Sequence, residues 1–99
     1  MAFIYHITTK REWNATKKNG LYAAASLETE GFIHCSDAKQ VDGVVKRYYQ
    51  GKKELIKLVI DTQKLNAELK YEFAPSVNEN FPHIYGSINL DAVIAVQEI

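Results

Sequence analysis

The sequence predicts an α+β domain of mixed strands with two main helices in its N-terminal half. Three observations predict it. Runs of strand length, rich in apolar and often β-branched or aromatic residues, recur as FIYHIT, FIHC, ELIKLVID, LKYEF and AVIAVQ. Two helix-start signals, Thr9 and the pair Ser36 and Asp37, each precede a segment that closes near a glycine. The order β, α, β, α and then several strands has no regular βαβ alternation, and no phosphate-binding glycine motif follows a strand, so Rossmann and P-loop architectures find no support.

Phe3–Thr8 reads as a strand with Ile4, His6 and Thr8 on one face and Phe3, Tyr5 and Ile7 on the other. Thr9 followed by Glu12 fits a capping box, in which hydroxyl and carboxylate each satisfy an orphan backbone donor. A helix is expected from Lys10 to Asn19, anchored by Trp13 with Ala15 and Thr16, stopped by Gly20, with Lys17 and Lys18 at the negative end of its dipole. Residues 21–30 read as irregular and lead into a short strand at Phe32–Cys35. A second helix follows, with Ala38, Val41, Val45 and Tyr48 along one side and Gly51 beyond its end. ELIKLVID, apolar on both faces, suits a central strand. DTQKL is a turn, Leu69–Phe73 a strand, residues 74–80 a loop, and Ala92–Gln97 the closing strand.

Ninety-nine residues with 46% hydrophobic content suit one domain, residues 1–99, with a single modest core. Twelve basic and twelve acidic side chains balance, which gives no reason to expect a nucleic acid or a membrane surface as partner. The charge is unevenly spread: residues 1–53 hold nine basic and five acidic groups and residues 54–99 hold three and seven, so the halves carry +4 and −4. The two halves read first as solvated faces that attract one another, with a face for an anionic ligand on the basic half as the alternative. One cysteine rules out an internal disulfide and a cysteine-rich zinc module. No secretory signal and no run of about 20 apolar residues is visible, so the cytoplasm is the expected location.

All three histidines lie in apolar or rigid segments: His6 in FIYHITT, His34 in GFIHCSD and His83 in NFPHIYG. Each has an ordinary role open to it, as a hydrogen-bonded strand residue or a loop anchor. His34 also stands just before a helix start, where an anion is favourably held. Together the three are expected to border one concavity. Three imidazoles could also hold a catalytic zinc, but their separations of 28 and 49 residues match no local metal-ligand spacing, so a zinc-dependent hydrolase ranks third and no metal ligand is assigned. Cys35 points away from His34 in a regular strand, which argues against a Cys-His nucleophilic pair.

IYHITT, ASLETEGFIHCS, DAKQVDGVVKRYY and FPHIYGSINLDAV together resemble the domain-of-unknown-function family 952, small bacterial proteins similar in fold to the ADP-ribosyltransferases. The resemblance covers nearly the whole chain. It implies an ADP-ribosyltransferase-like split, mostly antiparallel sheet with NAD, or a related nucleotide, bound in its cleft. IYHITT is similar to the strand whose histidine contacts a ribose hydroxyl, which implies cofactor binding by His6, Thr8 and Thr9. The short strand, serine and helix of the second motif put His34 and Ser36 at the site. For the third motif, where a glutamate is usual, Glu72, His83 and Tyr85 are alternatives. Arg11 and Arg47 are the only arginines, so the likeness does not extend to an arginine-rich RNA-phosphate site. The expected activity is ADP-ribosyl or phosphoryl transfer or NAD glycohydrolysis, with His34 and His83 catalytic, Tyr85 at the ligand and the acceptor unspecified. The alternative is a non-catalytic ligand-binding or regulatory module on the same fold.

Overall fold

The computed structural model describes residues 2–99. Strand β1 (Phe3–Thr9) pairs antiparallel with β4 (Leu55–Asp61), and β4 pairs on its other edge with β8 (Val93–Glu98). A second antiparallel sheet runs in the order β3 (Ile33–His34), β6 (Glu79–Tyr85), β5 (Glu68–Ala74), and β2 (Leu21–Tyr22) pairs with β7 (Ile88–Asn89). The central place of β4 follows from its composition, since six of its seven residues are buried. Ile4, Tyr22, Ile33, Ile56, Leu58, Ile60, Ile84 and Ile88 form the fully buried centre where the inward faces of these sheets meet.

The two larger sheets are coupled through one short strap. Cys35 N–H donates to Pro82 O at 3.0 Å, and one residue later Ser36 and Tyr5 exchange backbone hydrogen bonds of 2.7 and 2.8 Å. Residues 33–36 therefore leave the edge of β6 and join the edge of β1. This explains how Pro82 sits inside a middle strand, where a missing N–H is normally costly. Pro82 C=O still accepts from Cys35, and the pairing of β6 with β3 goes no further than this, so the missing N–H falls at the end of the β3 ladder.

Among the described residues three α-helices are present rather than two: α1 (Lys10–Thr16), α2 (Ala25–Glu30) and α3 (Val41–Tyr48), the last entered through a 3-10 turn at Ala38–Gln40. α1 stops short of Asn19 because Asn19 and Gly20, with φ of 55° and 77°, form a two-residue turn that closes Lys18 against Leu21 by two backbone hydrogen bonds. Gly20 is thus a hairpin residue, in the Asn-Gly pairing that such turns favour, and not a helix stop. ASLETE, expected to be irregular, is helical and ends at Gly31, whose φ of 89° supplies the left-handed cap and whose N–H donates to Leu27 O. NFPHIYG is strand rather than a rigid loop segment, so the loop expected over residues 74–80 narrows to the β5–β6 turn.

The caps also differ in detail. Thr9 Oγ1 accepts from Glu12 N–H at 3.0 Å as expected, but the Glu12 carboxylate turns to Thr8 instead of the cap backbone. Along α3 the buried face is carried by Gln40 and Val41, while Ala38 is exposed and Tyr48 is 60% exposed. Gln40 fills its buried place by donating to Asn80 O at 2.8 Å, which ties the start of α3 to β6.

Candidate functional site

Alternation along the strands of the second sheet gathers one polar and aromatic face. His34 stands opposite His83, Lys70 opposite His83 on the other edge, and Glu68 opposite Tyr85, so Phe32, His34, His83, Tyr85 and Glu72 share that face. Phe32 stacks on the His83 ring at 4.2 Å and 19°, and the His34 and His83 rings meet edge to face at 5.2 Å. Each imidazole has its own carboxylate. His83 Nδ1 lies 2.7 Å from Glu72 Oε1, and His34 Nε2 lies 3.1 Å from Glu30 Oε2 one helical turn back in the sequence.

These carboxylates fix which ring nitrogen is free. A carboxylate accepts, so His83 donates from Nδ1 and its Nε2 is left for a ligand, whereas His34 donates from Nε2 and leaves Nδ1. Tyr85 hydroxyl donates to the same Glu72 oxygen as His83. The two donors hold the Glu72 carboxyl below its ordinary pKa, the tyrosine hydrogen bond contributing most, and the same bond raises the Tyr85 phenol. The Glu72–His83 pair is 40% and 14% exposed at its side chains, so it is open to solvent on the carboxylate side.

Beside this cluster lies a cleft of about 340 Å³. His34, Ser36, Phe81 and His83 line it from the second sheet and the strap, and Tyr48 and Tyr49 from the end of α3. Ile7 of β1 forms part of its floor. Tyr49 is fixed by donating to Ile7 O at 3.0 Å. Two cations rest on these tyrosines: the Arg47 guanidinium lies 5.7 Å from the Tyr48 ring and the Lys52 ammonium 5.5 Å from the Tyr49 ring. One wall of the cleft is aromatic, with these cations beside its tyrosines, and another carries the imidazoles.

His34, Ser36 and His83 are brought together at the cleft, with Tyr85 behind His83. His6, Thr8 and Thr9 are not. Residues 4, 6 and 8 face the core, and the neighbouring Ile7 is the β1 residue that reaches the cleft, because a strand alternates its sides. His6 is 5% exposed, donates from Nδ1 to His34 O at 2.6 Å and accepts at Nε2 from Tyr22 hydroxyl at 2.9 Å. Burial pushes its pKa below the ordinary histidine value, against the opposing effect of the His34 carbonyl. Thr8 Oγ1 donates to Glu12 Oε2 at 2.6 Å, and Thr9 caps α1. The expectation of three histidines around one concavity therefore holds for two of them.

Among the described residues, no group of three or more His, Cys, Asp or Glu side chains is arranged to hold a metal ion. Cys35 is buried in the core, and burial raises its thiol far above the ordinary range, so it does not supply a thiolate. Among the described residues no helix is long and apolar enough to cross a membrane. Sequence reasoning missed Phe32, Glu30, Tyr48 and Tyr49. The two-residue spacing of Phe32 and His34, matched by that of His83 and Tyr85, was the available signal for the cluster; the tyrosines of α3 had none.

The crystal structure of protein CC0527 from Caulobacter crescentus is similar over 98% of this chain and 85% of its own, with 28% identity and a TM-score of 0.86. The solution NMR structure of the same protein covers 100% and 85%, with 28% identity and a TM-score of 0.81. Comparison with curated proteins finds no match. Residues 7–96 match the family described as protein of unknown function (DUF952), and with its fold shared by a bacterial relative the chain belongs to that family.

Proposed function

We propose that this chain binds NAD or a related nucleotide in the cleft between the His34–His83 face and the tyrosines of α3, on an ADP-ribosyltransferase-like split sheet. The observation that carries the reading is the cleft itself, where His34 and His83 border the same space as Tyr48 and Tyr49. Its volume of about 340 Å³ lies within the roughly 300–1,000 Å³ of small-ligand sites. Tyrosine rings offer a surface on which a planar base stacks, and Arg47 and Lys52 beside them suit phosphate. Two antiparallel sheets joined through the strap at residues 33–36 support the split architecture.

In such a cleft His83 is the acid–base group. Glu72 orients its ring and stabilises the imidazolium formed when Nε2 takes a proton from an acceptor hydroxyl or water. Cleavage of a nicotinamide–ribose bond builds positive charge on the ribose, and Glu72, ionised at neutral pH, is the carboxylate that backs His83 there.

A second reading, a ligand-binding or regulatory module without turnover, is favoured by His6. The residue matching the ribose-contacting histidine of the ADP-ribosyltransferases has both ring nitrogens engaged inside the core. The test is a thermal-shift and calorimetric titration with NAD, ADP-ribose and AMP, followed by chromatography for free nicotinamide. A ligand at about 100 times its Kd adds about 2.7 kcal/mol of stability. Nicotinamide release supports transfer or hydrolysis, binding without release supports the module, and no response to any of the three contradicts both.

A further inference from the structure

The second carboxylate-backed imidazole has no part in ribosyl chemistry as outlined above. We propose that His34 and His83 form an acid–base pair that hydrolyses a nucleotide phosphodiester bound in the cleft. The proposal rests on the nucleotide reading of the cleft and names the bond that is broken there.

The geometry is that of two proton-transfer groups addressing one reacting centre. The rings stand 5.2 Å apart on one sheet face, each carries a hydrogen bond to a glutamate on one nitrogen, and each borders the cleft. Such a spacing lets a single phosphate meet both. Phe32 holds the arrangement by stacking on His83 and meeting His34 edge-on at 4.8 Å. The charged and titratable groups around the pair are Glu30, Glu72, Tyr85, Lys70, whose ammonium lies 5.1 Å from the Tyr85 ring, and Glu68, which Lys70 meets at 4.0 Å, with Tyr48 and Tyr49 across the cleft. Glu30 and Glu72 each accept from one imidazole, which suits both rings to proton transfer. The cations on Tyr48 and Tyr49 suit a substrate that keeps a negative charge throughout.

The step balances without a redox partner or activated donor. Neutral His83 removes a proton from water at Nε2 while the water oxygen forms a bond to phosphorus. The opposite phosphorus–oxygen bond breaks, and the imidazolium of His34 gives its Nδ1 proton to the leaving oxygen. One phosphodiester and one water become a phosphomonoester and an alcohol, and the two rings exchange their proton difference with solvent. General acid–base help of this kind is worth roughly 10²–10⁴-fold for each group.

The probe is adenosine 2′,3′-cyclic phosphate, with hydrolysis followed by phosphorus NMR in buffer containing a chelator and AMP binding measured separately by calorimetry. Wild-type protein should open the cyclic ester along a bell-shaped pH–rate profile. His34→Ala and His83→Ala should each lower the rate at least about 100-fold and remove one limb of the bell. Glu72→Gln, a change at a positioning residue, should lower the rate less and keep both limbs. Melting curves check that each variant folds, and His34→Asn and His83→Asn replace any that does not. AMP binding with no hydrolysis overturns the inference and spares the nucleotide reading. Absence of both overturns the two together, and hydrolysis that survives either histidine substitution overturns the inference alone.

Discussion

Replacing His6 by alanine should cost stability, not ligand affinity. The ring satisfies two buried groups, the His34 carbonyl at 2.6 Å and the Tyr22 hydroxyl at 2.9 Å, and Tyr22 is itself fully buried. A buried polar group left without its partner costs about 1–3 kcal/mol, which applies in full to the His34 carbonyl and in part to the Tyr22 hydroxyl, since Glu12 Oε2 remains to it at 3.3 Å, so the two together amount to about 3 kcal/mol. That is a large share of the roughly 5–15 kcal/mol that holds a domain folded, and for a chain of this length it corresponds to a fall in Tm of roughly 12–24 °C. The pH dependence carries the same signature. Because burial lowers the folded-state pKa of His6, the unfolded chain binds the proton more readily, and the residue's contribution is complete above the ordinary value of 6.5. It is lost as pH falls from there through the lowered folded value, and the variant should lack that part of the slope. Urea titrations of both proteins from pH 8 to pH 5 measure both effects. A variant as stable as wild type at pH 8, or one that melts normally but binds nucleotide more weakly, would refute the reasoning and return His6 to the ligand.

Tyr22→Phe should cost about 1–2 kcal/mol at neutral pH, because the one hydroxyl proton that serves His6 Nε2, with Glu12 as its longer alternative at 3.3 Å, is lost while the apolar ring remains, as read from urea midpoints. Gly20→Ala should cost about 1–2 kcal/mol although a methyl there meets no atom within 4 Å, since the left-handed φ of 77° alone penalises it; an unchanged midpoint would contradict the turn assignment. Glu72 has a lowered folded-state pKa, so its contribution is present above the ordinary value of 4.5 and is lost as pH falls through the folded one. Glu72→Gln should therefore flatten the acid limb of the stability profile below that pH, measured by acid titration of circular dichroism, and an unaltered limb would show that the Tyr85 and His83 bonds do not persist in solution.

Elements with a strong apolar pattern were legible, and those set by backbone sign or by pairing were not. ELIKLVID could be placed at a sheet centre because both of its faces are apolar, and it is the middle strand between β1 and β8. Asn19-Gly20 was read as a helix end although an Asn-Gly pair is also a hairpin turn, and only the closure of Lys18 on Leu21 decides between them. Helix α2 has no buried residue, so no apolar stripe announced it. In NFPHIYG the proline concealed a strand, which carries it at the end of its pairing with β3, where residues 35–36 cross to the other sheet.

The candidate site divides in the same way. His34 and His83 were legible as chemistry in unusual settings, but their juxtaposition needed the register that sets them opposite one another. His6 illustrates the limit of a motif. It sits in the expected strand, yet it faces the core while Ile7 faces the cleft. The tyrosines of α3 reach the cleft because Gln40 docks the start of α3 on β6, a long-range contact that no local pattern encodes.

The three histidines provide the most direct test of the central claim, since each gives a separate imidazole signal in a proton–nitrogen spectrum of the native chain. ADP-ribose should be titrated into labelled protein at constant pH, with His34→Ala, His83→Ala and His6→Gln used to assign the resonances. A nucleotide seated in the cleft should shift the His34 and His83 rings saturably and with one common Kd, while His6, closed inside the core, stays essentially unmoved. Shifts confined to His6, or no saturable shift at His34 and His83 up to millimolar ligand, would contradict nucleotide binding at this cleft.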